Sequence, residues 1–239
     1  LRREAVRKLR ADGGSDADVI ALSEDGWLIT DAAWVRCFGD TAKLATKVKA
    51  DEEGRVVSVE LRSCKDMKEL PASVGRLQAL TKLDLVFCEG LTSLPAELGG
   101  LQALEALTLH GCSGLTSLPP ELGGLQALKT LRLSQCSGLR SLPAELGRLQ
   151  ALEELNLESC WANGLGLTSL PAELGRLQAL TKLNLVSCMS LTSLPDLSGL
   201  EKLRVEWGQA ENLKAWVEGG RKALELPPPR ELKSYEYYT

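Results

Sequence analysis

Seven cysteines and a single histidine are the residues of this chain best suited to covalent or metal chemistry. His110 stands two residues before Cys112, a spacing at which a thiol and an imidazole can serve as nucleophile and base when the strand is regularly extended through both. Cys112, however, is one of a set. Cys64, Cys88, Cys112, Cys136, Cys160 and Cys188 follow one another at intervals of 24, 24, 24, 24 and 28 residues. A zinc site needs close pairs such as CxxC, and a disulfide framework pairs cysteines irregularly in a short secreted chain. Neither pattern is present, so no metal, disulfide or catalytic dyad is expected. Residues 123–130 (GGLQALKT) offer Lys129 and Thr130 in the manner of a phosphate loop, but Leu128 stands where its second glycine belongs. The remaining carboxylates are scattered over solvent turns, where nothing tunes them for acid or base work. The expectation is a protein without catalysis and without a cofactor.

What positions these residues is a repeat. The chain of 239 residues holds 49 leucines, about a fifth of the total, against 4% aromatic residues. Residues 91–114 (LTSLPAELGGLQALEALTLHGCSG) are followed by residues 115–138 (LTSLPPELGGLQALKTLRLSQCSG), a period of 24. Further copies begin at Met67, Leu139, Leu167 and, in degenerate form, Leu191, and residues 56–64 supply the strand part of a first unit. Seven coils exceed the three or so that a stacked repeat needs for stability. Within each, apolar residues alternate before the cysteine, as at Leu104, Leu107 and Leu109, which reads as a short strand with one face buried. The remainder holds a proline and a glycine and is too short for a long helix, so it reads as one helical or 3-10 turn.

The pattern LxxLxLxxCxxLxxLPxxLGxL resembles the leucine-rich repeat, in the 24-residue variety similar to that of plant intracellular resistance receptors and of algal and protist proteins. The resemblance covers about residues 55–208 and implies an α/β solenoid. Such a solenoid has a curved parallel sheet on its concave side and short helical or 3-10 turns on its convex side, with non-repeat caps over residues 1–54 and 209–239. It also implies that the six cysteines form a buried ladder, with inward side chains meeting backbone groups of the turn that leaves each strand. That leaves Cys37 as the one thiol open to reagents, and with it the reading of a reducing, intracellular compartment.

The ends are expected to close the core. Residues 1–14 read as a basic amphipathic helix ended by Gly13 and Gly14. Without an initiator Met, the chain reads as a fragment or as a processed product. Trp27, Trp34 and the DEEGRVVSVEL segment resemble the caps of algal and protist repeat proteins. Trp216 is expected to cover the last coil, ahead of an extended Pro227, Pro228 and Pro229 and a tail with Tyr235, Tyr237 and Tyr238. Four extra residues after Cys160 (CWANGLGL) require a bulging loop in which Trp161 can anchor a partner.

Comparison of the copies with one another locates a candidate surface. LPAELG recurs with little change, while the solvent positions of the strands diverge: Glu60, Asp84, Thr108, Arg132, Asn156, Asn184 and Arg204 form one column. Arg62, Val86, His110, Ser134, Glu158, Val186 and Glu206 form the next. Strand residues that face away from the core line a solenoid's concave side. The candidate partner-binding residues are therefore Phe87, His110, Arg132, Glu153, Glu154, Asn156, Glu158, Trp161, Asn184 and Arg204. The acidic Glu153, Glu154 and Glu158 suggest a basic element on the partner.

A net charge of −4 gives no broad basic field, and apolar runs are only a few residues long, so neither nucleic acid nor a membrane span is expected. The reading is a protein–protein interaction scaffold, a binding or structural subunit of a multi-subunit complex. The alternative is the ligand-recognition region of an intracellular signalling or innate-immune receptor.

Overall fold

The computed structural model describes residues 48–65, 67–162, 165–207, 214, 216, 218–222 and 224–225, with the backbone only at 161, 162, 165, 224 and 225. The expectations for the N-terminal helix, Trp27, Trp34, Cys37 and the Pro/Tyr tail lie outside these residues. An eight-stranded sheet runs through the molecule in the order β1 (Val48–Ala50), β2 (Val56–Glu60), β3 (Lys82–Asp84), β4 (Ala106–Thr108), β5 (Thr130–Arg132), β6 (Glu154–Asn156), β9 (Lys182–Asn184) and β11 (Arg204–Glu206). The seven strands after β1 are parallel, one per coil, and β1 caps them by pairing antiparallel with β2. This is the leucine-rich repeat solenoid that the sequence pattern implies.

Opposite the sheet lie five 3-10 turns: Ala72–Arg76, Ala96–Gly100, Pro120–Gly124, Ala144–Arg148 and Ala172–Arg176. The leucine spacing explains why they are 3-10 and not α. Leu98, Leu101 and Leu104 are three residues apart, and a helix with three residues per turn puts all of them on one side. The backbone follows suit, with Leu98 N–H bonding to Pro95 O, Leu101 N–H to Leu98 O and Leu104 N–H to Leu101 O, at 3.1 to 3.2 Å. Pro95 enters the turn at φ −72°, the angle its ring imposes. Neighbouring turns touch through their backbones: a Cβ on Gly99 would strike the carbonyl oxygen of Glu121, so only glycine fits.

The leucines form one continuous core in which Leu83, Leu107, Leu131 and Leu155 are all fully buried. At the C-terminal end Trp216 is buried and donates its Nε1–H to Pro195 O at 3.1 Å, as expected of a residue closing the last coil. Arg221 fastens the same segment by donating to Leu203 O. β12 (Leu224–Glu225) pairs with β10 (Ser193–Leu194). The four-residue insertion is a small hairpin in which β7 (Trp161–Ala162) pairs antiparallel with β8 (Leu165–Gly166). Among the described residues no helix is long and apolar enough to cross a membrane.

Candidate functional site: the concave strand face

Strands β2, β3, β4, β5, β6 and β9 are each left through a residue in the left-handed region: Ser63, Phe87, Gln135, Ser159 and Ser187 at φ 57–59°, and Gly111 at 73°. That turn carries the next residue, the cysteine, into the core. Cys88, Cys112, Cys136, Cys160 and Cys188 are buried, and each donates its thiol to a leucine carbonyl of the preceding coil (Leu61, Leu85, Leu109, Leu133 and Leu157) at 3.0 to 3.1 Å. Burial pushes the Cys136 and Cys188 thiols up to about 12 and raises Cys112 and Cys160 further still. A thiol held neutral in this way is a poor nucleophile. The first rung departs from the expected ladder. Cys64 is half-exposed, and its contact is Arg62 O of its own coil at 3.7 Å. The inner rungs bond to the strand of the coil before, and Cys64 belongs to the first coil.

His110 points the other way, into a trough of about 480 Å³ on the concave face, where its Nδ1 lies 2.7 Å from Ser134 Oγ. Cys112 and His110 are therefore on opposite sides of the sheet, and the spacing that suggested a dyad produces none. Phe87 sits at the lip of this trough, 40% exposed, with its ring edge-on to His110 at 4.9 Å between centroids. Its ring lies over Gly111, where a side chain would collide with it.

The trough brings together four of the ten candidate residues along its wall, His110, Arg132, Glu154 and Asn156, with Phe87 beside them. Glu158 is half-buried and within 3.4 Å of Asn184 Nδ2. Glu153 is exposed just before β6, outside the trough lining. Trp161 is described only as backbone in β7. Two expectations need correction. Asn184 is not a solvent position: it is buried, and its Oδ1 accepts the backbone N–H of Val186 at 2.9 Å. Asp84 in the same column is buried too. Arg204 does not stand beside Asn184. Its Cα partner is Lys182, and Glu206 is the partner of Asn184. Leu203 takes the place of Leu180, its N–H on Leu200 O as that of Leu180 is on Leu177 O, and Val205 takes the place of Leu183, so Arg204 and Glu206 each stand two residues from the position expected of them.

The acidity expected of Glu153, Glu154 and Glu158 is also moderated. Glu154 Oε1 lies 3.2 Å from Arg132 Nε, and Lys182 is its partner on the other side. Lys82 and Lys182, which line the trough, were missed. They sit two residues before Asp84 and Asn184, on the same face by strand alternation. Following that column, which also holds Glu154, would have found them.

No family model matches the sequence and no curated protein matches it. Among solved structures, the chain is similar to one in the BIR3–SERK2 complex of Arabidopsis thaliana, with 28% identity over 58% of this chain and 74% of that one, at TM-score 0.41. It is similar to a leucine-rich repeat protein of Leptospira interrogans, with 24% identity over 67% of this chain and about half (51%) of that one, at TM-score 0.39. A plant ice-binding protein aligns with 22% identity over 81% and 70% of the two chains, at TM-score 0.47.

Proposed function

We propose that this leucine-rich repeat solenoid is a non-catalytic protein–protein interaction module that holds its partner on the concave strand face, as a subunit of a larger assembly. The observation that carries the reading is the contrast within each coil. The convex LPAELG turns repeat almost unchanged, whereas the strand positions around the trough diverge from coil to coil and bear Phe87, the one exposed large hydrophobic among the described residues. A surface shaped for one irregular partner has this character, and an exposed aromatic in a concavity is a favoured anchor. The buried, un-ionised thiols fit a reducing compartment. In this reading Phe87, His110, Arg132, Glu154 and Asn156 are contact residues, and the hairpin at Trp161 extends the surface.

The test is affinity capture from the source cells under native conditions, with the unaltered chain and with Thr108→Trp, which fills the trough. A stoichiometric set of proteins retained by the first and lost by the second is the expected result. Equal capture by both would move the interface off the concave face. A single ligand seen only under stimulation would favour a receptor-like role over a scaffold.

A further inference from the structure

The trough is lined by four cations, Arg62, Lys82, Arg132 and Lys182, and two carboxylates, Asp84 and Glu154; Glu60 and Glu206 beside it make the numbers equal, yet the face does not present them equally. Arg62 Nη2 pairs with Asp84 Oδ2 at 2.6 Å, and the side chains are 54% and 5% exposed. Arg132 pairs with Glu154 at 50% and 23%. Lys82 Nζ is 3.0 Å from Glu60 Oε1, at 41% and 32%. In each pair the carboxylate lies toward the sheet and the cation stands above it. Only at the last strand, where Lys182 Nζ is 3.5 Å from Glu206, is the order lost, at 43% and 50%. An approaching molecule therefore meets guanidinium and ammonium groups first, although the face is near neutral by count. These cations also keep donors to spare. A guanidinium has five N–H groups and an ammonium three, and Arg132 uses its Nε on Glu154.

We propose that the concave trough takes an acidic segment of a partner protein in the polyproline II conformation, with carboxylates at every third residue meeting Lys82, Arg132 and Lys182 in turn. This rests on the reading of the concave face as the interface. The spacing follows from the sheet. Lys82 is on β3, Arg132 on β5 and Lys182 on β9, each two strands from the next. At about 4.8 Å per strand that is about 10 Å, and three residues of polyproline II, one full turn, rise about 9 Å and return every third side chain to the same face. Between Lys82 and Arg132 the floor carries no charge, with Ala106 and Thr108 on β4 and His110 beyond them. Phe87 overlooks this window, so an apolar side chain between two acids completes the fit. The segment's acids need not break the internal pairs, because they bond to the outward donors. The basic partner element suggested by Glu153, Glu154 and Glu158 is thereby replaced by its opposite.

The experiment titrates the chain with three capped peptides of equal length, carrying Glu, Gln or Lys at every third residue around one central Phe, and reads fluorescence anisotropy. The expected result is that the Glu peptide binds at least ten-fold more tightly than the other two and weakens as salt rises. The double substitution Arg132→Glu with Lys182→Glu should reverse the preference toward the Lys peptide, and Thr108→Trp should abolish binding. Should Thr108→Trp unfold the chain by circular dichroism, Ala106→Trp takes its place as the blocking variant. Preference for the Lys or Gln peptide, blocked by Thr108→Trp, would overturn the acidic segment and leave the concave interface standing. Binding of the Glu peptide that ignores both the charge reversal and the block would overturn the proposal, as would no binding by any peptide. The capture experiment then decides the interface by itself.

Discussion

The two faces of one coil obey different rules. On the convex side Gly99 touches Glu121, and Gly123 touches Glu145 in the same way, so each turn leaves its neighbour no freedom in size or shape. On the concave side the coils are joined by strand hydrogen bonds that are indifferent to side chains, and Lys82, Ala106, Thr130 and Glu154 succeed one another in a single column. The difference teaches that likeness among the copies follows from packing, and that variation is available for recognition only where the backbone does the joining.

The largest effect should come from breaking the convex side. Gly123→Val places a side chain against the Glu145 carbonyl and should destabilise the fold by about 3 kcal/mol. A concave substitution such as Thr130→Gln should stay within about 0.5 kcal/mol. Urea midpoints of the two variants check the contrast, and equal losses would erase it.

Graded with pH is the alkaline loss of stability through the ladder that joins the two sides. Cys136 and Cys188 ionise at about 12 in the fold, against 9.0 ordinarily. Above pH 9 the unfolded chain gives up these protons while the folded chain keeps them. Stability is then fully present below pH 9 and falls up to about pH 12, by roughly 1.4 kcal/mol per pH unit for each thiol. Denaturant titrations at pH 8 and pH 10 measure the slope, which Cys136→Ala should reduce.

A smaller effect sharpens the picture of the trough's lip. Gly111→Ala should cost about 1 kcal/mol, since it puts a Cβ at positive φ and against the Phe87 ring. In a Phe87→Ala background the ring contact is gone, so the cost should be lower. A double-mutant cycle reads the coupling. Smallest is a labelling difference at the first rung. Native protein should show Cys64 reacting with a thiol reagent ahead of the five buried rungs, and reaction at Cys112 or Cys136 at the same rate would sink the ladder.

Much of the fold was legible because period, proline and leucine spacing act locally. The columns Leu104, Leu107 and Leu109, the cysteine ladder and the closing Trp216 could all be read from residue types. What escaped reading depended on neighbours. The exposure of Cys64 comes from its place in the first coil, and the shifted register of Arg204 comes from Leu203 standing where Leu180, and not Leu183, stands in the coil before. The burial of Asp84 and Asn184 arises from flanking strands that no single copy displays. The trough was half legible. His110, Phe87 and Arg132 stood out by type, whereas the layering of cations over carboxylates exists only once strands stand side by side.

The most direct test of the division between the faces is carboxyl footprinting of the free chain and of the chain bound to its captured partner. The expected result is loss of labelling at Glu154 and Glu206 on the strand side, with Glu97, Glu121, Glu145 and Glu173 on the convex turns unchanged. Protection of the convex glutamates, with the strand glutamates still labelled, would contradict it.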